Sequence, residues 1–154
     1  MSHPLENRIP PPVVTVAIAV VMAVVSRLAP GAPIPGALRY GLAAGLFLAA
    51  GALGATAIGA FARAKTTIDP VHIEKASSLV ISGAFRVTRN PMYLAMALLL
   101  TALALGLSNL WLLLGPVAFV LFTTRFQILP EERAMRARFG EAYDDYRRKV
   151  RRWL

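Results

Sequence analysis

From Leu38 to Ala62 the sequence carries one charged side chain, Arg39, and no proline. At about 1.5 Å per residue, a helix of that length crosses the ~30 Å hydrocarbon core of a bilayer. Three more apolar runs accompany it: Val13–Ala29, broken late by Ser26 and Arg27, then Leu94–Leu107 and Leu110–Leu129. A hydrophobic content of 56% and a mean hydropathy of +0.57 exceed what a soluble domain of 154 residues carries. These runs predict an all-α integral membrane protein with four transmembrane helices, over about 13–29, 38–62, 91–107 and 110–129, in one domain covering 1–154.

The separators agree with that division. Pro10-Pro11-Pro12 closes a polar N-terminal segment, since no helix interior tolerates it. Pro30 to Gly36 is a breaker cluster that forces a turn. The first run can also be read as a secretory signal, with Arg8 ahead of it and small residues from Ala29 to Ala37; a retained span is the reading taken. Ser108-Asn109 is so short a link that the helices on either side must be antiparallel neighbours. Gly41, Gly45, Gly51, Gly54 and Gly59 point to close helix packing in lipid. A phosphate-cradling loop would need a strand before it, and the pattern offers none.

Two polar stretches remain. Arg63–Thr88, with a turn signal at Asp69-Pro70 and Ser77-Ser78 ahead of Leu79-Val80-Ile81, is long for a structureless connection and reads as a functional loop. The tail, residues 131–154, is amphipathic: Met135, Phe139, Tyr143, Tyr146, Val150 and Trp153 recur at helical spacing, with a break at Gly140. Arg133, Arg136, Arg147, Arg148, Lys149, Arg151 and Arg152 lie mainly off that stripe, as on a helix resting on anionic headgroups.

The net charge of +9 does not point to nucleic acid, because Lys and Arg flank the apolar runs with no aromatic platform among them. With no cysteine, and only His3 and His72 as imidazoles, neither a disulfide nor a metal centre is expected. Four spans put both termini and the Arg63–Thr88 loop on one side, and that side holds every Lys and Arg except Arg27 and Arg39. The positive-inside rule makes it cytoplasmic.

Chemistry concentrates at Arg89-Asn90-Pro91-Met92-Tyr93, where the polar loop meets an apolar run. Asn suits a helix N-cap and Pro the first helical position, so the five residues mark a loop-to-helix junction. Glu131-Glu132, just past the next apolar run, is harder to explain by packing; Phe139-Gly140, Tyr143 and Tyr146 follow it. The blocks Leu79–Tyr93 and Glu131–Tyr146 resemble the isoprenylcysteine carboxyl methyltransferase and phospholipid methyltransferase family of membrane enzymes. The resemblance covers residues 77 to 154 and rests on two motifs in the right order around one helical hairpin.

That resemblance implies S-adenosylmethionine as methyl donor, S-adenosylhomocysteine as product, and a lipophilic or membrane-embedded acceptor. It implies cofactor contacts at Ser78, Leu79, Val80, Gly83, Phe85, Arg89, Asn90, Pro91, Met92, Tyr93, Glu131 and Glu132, with Gly83 making a tight turn near the ligand. Tyr93 and Phe85 suit a sulfonium, because an aromatic face attracts a cation. A carboxylate such as Glu131 can accept ribose hydroxyls or the donor's ammonium group. The catalytic residue is left open, with Glu132, Gln127 and Arg125 as candidates. Two departures stand out: Asn90 replaces the His of the prenylcysteine branch, and Gln127 stands where that branch has an Arg thought to face a substrate carboxylate. An acceptor arriving from within the membrane suits the apolar hairpin, with Met96 as a portal residue. Two other classes compete: a membrane reductase using NADPH, to be separated by cofactor titration, and a non-catalytic scaffold, which would have no use for paired carboxylates beside a polar loop.

Overall fold

The structure, a computed structural model, describes residues 4–29, 31, 34–64 and 78–154. It is all-helical, with no strand among the described residues. The Asp69-Pro70 turn and Ser77, like His3, His72 and part of the Pro30–Gly36 turn, lie outside those residues. Helix α1 is Pro11–Leu28, α2 is Gly36–Ala64 and α3 is Pro91–Gly106. A 3-10 turn at Leu110–Leu113 leads into α4, Leu114–Thr123. A π-turn at Thr124–Ile128 joins α4 to α5, Leu129–Phe139, and α6 is Glu141–Lys149.

Three stretches are long and apolar enough to cross a membrane: Pro11–Leu28, Gly36–Ala64 and Leu110–Phe139. Pro91–Gly106 is a shorter apolar helix at the centre of the bundle, packed on α1, α2 and α4. Every second or third residue along it is buried, from Pro91 through Tyr93, Ala95, Ala97 and Leu100 to Ala104. A helix covered on nearly all sides can be short, because it does not have to meet lipid along its whole length. Large apolar side chains such as Val20, Val24, Phe47, Leu48 and Leu121 face outward, as on a surface solvated by hydrocarbon.

The fourth rod differs from the sequence expectation. A span ending at 129 and a separate tail from 131 were expected; the helix instead runs through Pro130 to Phe139, loosened by the π-turn. Pro130 has no N–H for the Phe126 carbonyl four residues back. The Asn7 amide takes that carbonyl at 3.0 Å, and Leu129 N–H reaches back five residues to Thr124. Gly140, at φ +53° and ψ −126°, then breaks α5 from α6 at the expected place.

The glycine pattern of α2 also reads differently. A methyl group at Gly41, Gly45 or Gly51 would meet nothing within 4 Å among the described residues, so these glycines mediate no close packing there. Ala50, Ala57 and Ala60 are the buried residues of α2, and Gly54 faces the Ala95 methyl of α3. The close approach lies elsewhere: at Gly115, where a methyl would come within 2.5 Å of the Met22 sulfur, α4 passes tightly over α1.

The two ends of the bundle are distinct. At one, Asn109 donates to the Ala29 carbonyl at 3.4 Å, closing α1 against the α3–α4 turn. At the other, the N-terminal segment, residues 78–90, α5, α6 and the C-terminus converge. Two hydrophobic clusters meet there: one built on Tyr93, Phe119 and Ile128 with α1, the other on Ala57, Ala60, Val80, Phe85, Tyr143 and Tyr146.

Candidate functional site

At the seam between the clusters lies a cavity of about 370 Å³. Such a volume lies within the range of small-molecule sites, roughly 300–1,000 Å³. The loop contributes Ser78, Leu79, Val80 and Phe85, and the junction into α3 contributes Arg89, Asn90, Pro91, Met92, Tyr93 and Met96. Across from them stand Ile128, Glu131, Glu132 and Met135, with Tyr143 and Tyr146 from α6, Phe61 from α2 and Pro10–Pro12 from the start of α1.

The loop-to-helix junction is built around the C-terminus. Arg89 N–H donates to the Arg151 carbonyl at 3.0 Å, and the Thr88 hydroxyl and Asn90 side-chain amide both donate to the Arg152 carbonyl, at 3.1 and 2.9 Å. Asn90 thus occupies the N-cap position of α3, but its side chain does not cap the helix; it holds the tail. On the other face of the loop, the Tyr146 hydroxyl donates to the Phe85 carbonyl at 2.7 Å, and Phe85 packs edge-on against Phe61 with ring centroids 5.3 Å apart. Burial pushes the Tyr143 and Tyr146 phenols above their ordinary pKa, so both remain protonated donors at neutral pH.

The two glutamates have separate fates one residue apart. Glu131 accepts a hydrogen bond from the Tyr93 hydroxyl, which ties α5 to α3 across the cavity. Glu132 is gripped by two arginines. Arg152 reaches it through both Nε and Nη2, at 2.9 and 2.8 Å, and Arg89 Nη2 approaches at 3.0 Å. The same carboxylate raises the Arg152 pKa by accepting its hydrogen bonds. Arg152 is therefore not one of the surface arginines of the tail. Arg89 keeps a reserve: its Nε and Nη1 are buried with no hydrogen-bond partner among the described residues, although it lines the cavity. Buried guanidinium nitrogens without acceptors are costly, and an arriving oxygen acceptor removes that cost.

Of the twelve expected cofactor positions, the structure brings all but Gly83 to the cavity wall. Gly83 does make a tight turn, at φ +60°, but the turn lets the loop lie against Thr56 and Ala60 of α2 rather than against the cavity. Two of the three catalytic candidates are displaced. Gln127, 2% exposed, donates to the Ile9 carbonyl at 2.8 Å and does not line the cavity. Arg125, with half its side chain exposed, pairs with Glu6 at 3.2 Å on the outer surface. The π-turn is the physical reason, since one extra residue in the turn rotates positions 125 and 127 out of the frame of a regular helix. Glu132 lines the cavity, but its oxygens are already spoken for by arginines. Pro10–Pro12, Phe61, Ile128 and Met135 were not legible as site residues. Apolar walls carry no chemical signature in a hydrophobic sequence.

A second, open groove of about 460 Å³ runs between α2 and α3, lined by Phe47, Gly51, Gly54, Ile58, Leu99 and their neighbours. Met92 and Met96 belong to both the groove and the cavity, and so form the wall between them.

Comparison with known proteins agrees with this architecture. No solved structure matches the chain. An uncharacterized protein of Haemophilus influenzae is 44% identical over 63 residues, which is 41% of this chain and 100% of that protein. The sequence profile described as phospholipid methyltransferase matches residues 38–142, from the start of α2 into α6, and so takes in the cavity-lining loop, α3 and both glutamates. That description carries methyl transfer to a lipid-type acceptor, in keeping with helices able to cross a membrane. This chain belongs to the phospholipid methyltransferase family.

Proposed function

We propose that the protein transfers a methyl group from S-adenosylmethionine to a lipophilic acceptor at the cytoplasmic face of a membrane. The observation that carries this reading is the cavity that joins Arg89, Tyr93 and Glu131 at the polar end of an apolar bundle. Its residues fit the donor. Nε and Nη1 of Arg89, unpaired among the described residues, suit the donor's carboxylate, and Glu131 suits a ribose hydroxyl or the ammonium group. Tyr93, Tyr143 and Phe85 offer aromatic faces for a cationic sulfur, and Leu79, Val80 and Met135 offer an apolar bed for a purine. When bound, the donor supplies an activated methyl carbon: the acceptor's lone pair forms the new bond, and the carbon–sulfur electron pair stays on sulfur.

The chain's own part is alignment. In-line displacement depends on holding acceptor, carbon and sulfur in register more than on protein acid–base groups. The Tyr93–Glu131 bond fixes α3 against α5, and the Glu132–Arg89–Arg152 cluster fixes the loop and the C-terminus. Apolar walls from Pro10–Pro12, Ile128 and Met96 exclude water from the reacting centre. The α2–α3 groove supports entry of the acceptor chain from the bilayer, with Met92 and Met96 as the yielding wall, because methionine is flexible and easily repacked.

The test is mass spectrometry of lipid extracts from cells with and without the protein, grown with methyl-deuterated methionine. A lipid that gains labelled methyl only when the protein is present supports the reading. Extracts without any such species, together with no binding of S-adenosylhomocysteine to purified protein, overturn it. Met96→Trp should slow transfer to a long-chain acceptor while sparing cofactor affinity; equal rates on long and short acceptors would remove the lateral route.

A further inference from the structure

The family profile begins at residue 38, yet the cavity has a wall that lies before it. Pro10, Pro11 and Pro12 line the cavity, and Ile9, just before them, packs into the cluster that holds Tyr93, Met96 and Ile128. We propose that residues 5–12 are a strap closing this side of the cavity, and that Glu6 is its latch, a positioning residue that controls how long a ligand stays. The inference rests on reading the cavity as the cofactor site.

Contacts to one stretch of the fourth rod hold the strap. The Asn7 amide donates to the Phe126 carbonyl at 3.0 Å, and the Ile9 carbonyl accepts from Gln127 Nε2 at 2.8 Å. Glu6 places one oxygen 3.2 Å from Arg125 Nη1 and the other 2.6 Å from Arg133 Nη2. Pro130, four residues on from Phe126, has no N–H to offer the carbonyl that the Asn7 amide reaches. The latch straddles the π-turn, with Arg125 inside it and Arg133 one turn beyond.

The energetics distinguish latch from hinge. Gln127 is buried, whereas both arginines are more than half exposed; the Glu6 side chain is 10% exposed, so water and salt compete for the latch through the arginine side. The proline triplet cannot bend to open the wall by itself, because its φ angles are fixed. Opening therefore requires the segment before it to lift, and Glu6 is the charged contact that resists lifting. Arg125, expected among the catalytic candidates, so acquires a role in holding the strap from the outer surface.

The test uses the full-length protein in lipid nanodiscs. Its native sequence has no cysteine, so Met135→Cys provides a single cavity-wall reporter for a water-soluble maleimide. Glu6→Gln should raise the labelling rate of that reporter and the dissociation rate of S-adenosylhomocysteine by about three- to tenfold, the size expected for two partly exposed ion pairs. Glu6→Asp should restore most of the difference, and Arg125→Gln and Arg133→Gln should each give part of it. High salt should speed both rates in the wild type and change Glu6→Gln little. Identical labelling rates and identical salt dependence in wild type and Glu6→Gln would overturn the strap, as would a lowered melting temperature with no change in either rate. If labelling accelerates in Glu6→Gln while S-adenosylhomocysteine neither binds nor protects the reporter, the strap stands and the cofactor reading falls.

Discussion

Adjacent glutamates on a helix point about 100° apart, and at positions 131 and 132 that rotation separates two tasks. Glu131 meets the Tyr93 hydroxyl at the cavity, and Glu132 turns toward Arg89 and Arg152. Glu131→Gln should weaken S-adenosylhomocysteine binding by about 1–3 kcal/mol, the loss of a charge-assisted hydrogen bond, measured by calorimetry. Unchanged affinity would remove Glu131 from the site. Glu132→Gln should act on stability instead, because it leaves Arg89 and Arg152 sharing a neutral amide. A loss of about 1–3 kcal/mol is expected, below the figure for a fully buried pair because Arg152 is one-third exposed. Melting in detergent would show it, and an unchanged melting temperature would refute the clamp. The sequence identified the acidic pair as too costly to be idle at a membrane edge. It did not say which carboxylate would be without an arginine partner, because that depends on an arginine 20 residues downstream folding back onto Glu132.

Element boundaries here are set by single residues with clear backbone chemistry. Gly140 adopts φ +53° and ψ −126°, and a methyl there would touch nothing, so any penalty is purely one of backbone strain. Gly140→Ala should therefore cost about 1–3 kcal/mol and loosen α6 from the loop. Faster amide exchange at Tyr143 and Tyr146 in the variant, with α3 unchanged, is the expected result. The C-terminal segment after α6 acts on the site without lining it. Deleting residues 151–154 removes the acceptors for Arg89 N–H, Thr88 and Asn90, and the side chain that clamps Glu132. Ligand affinity should fall by roughly tenfold or more, since each such bond contributes about 0.5–1.5 kcal/mol to holding the junction in place. Retained affinity in the truncated protein would show that the junction organises itself. The helical stripe of the tail was legible from its spacing. Its target was not: the stripe from Met135 to Val150 clusters with Val80, Phe85 and Phe61 of its own chain, while Trp153 joins the cluster of Tyr93 and Phe119.

For the whole molecule, orientation decides whether a cytosolic donor can reach the cavity. The N-terminal segment, the C-terminus, the basic residues of α5 and α6 and the cavity share one end of the bundle, and the proposed function requires that end to be cytoplasmic, as the positive-inside rule predicts. Single cysteines at Gly36 and at the exposed Trp111 should label from outside intact cells, and one at Glu141 should label only after lysis. Outside labelling at Glu141 would place the cavity away from the cytosolic donor and end the proposed function.

The sequence by itself determined the medium and the outline. Apolar runs of bilayer length, proline and glycine breakers between them and a two-residue turn at Ser108-Asn109 leave few alternatives to an antiparallel helical bundle, because hydrocarbon permits no unpaired backbone. It also determined where chemistry collects, since polar residues at the end of an apolar bundle need partners or ligands. Tertiary structure decided which of those residues face the cavity. Pro130 disturbs the helix before it, and the π-turn carries Gln127 to the N-terminal strap and Arg125 to the outer surface. The chain ends fold back to supply a wall at Pro10–Pro12 and a clamp at Arg152, contacts across more than a hundred residues at Glu6 and across 20 at Glu132. Such contacts follow from the packing of whole helices, and a local pattern cannot encode them.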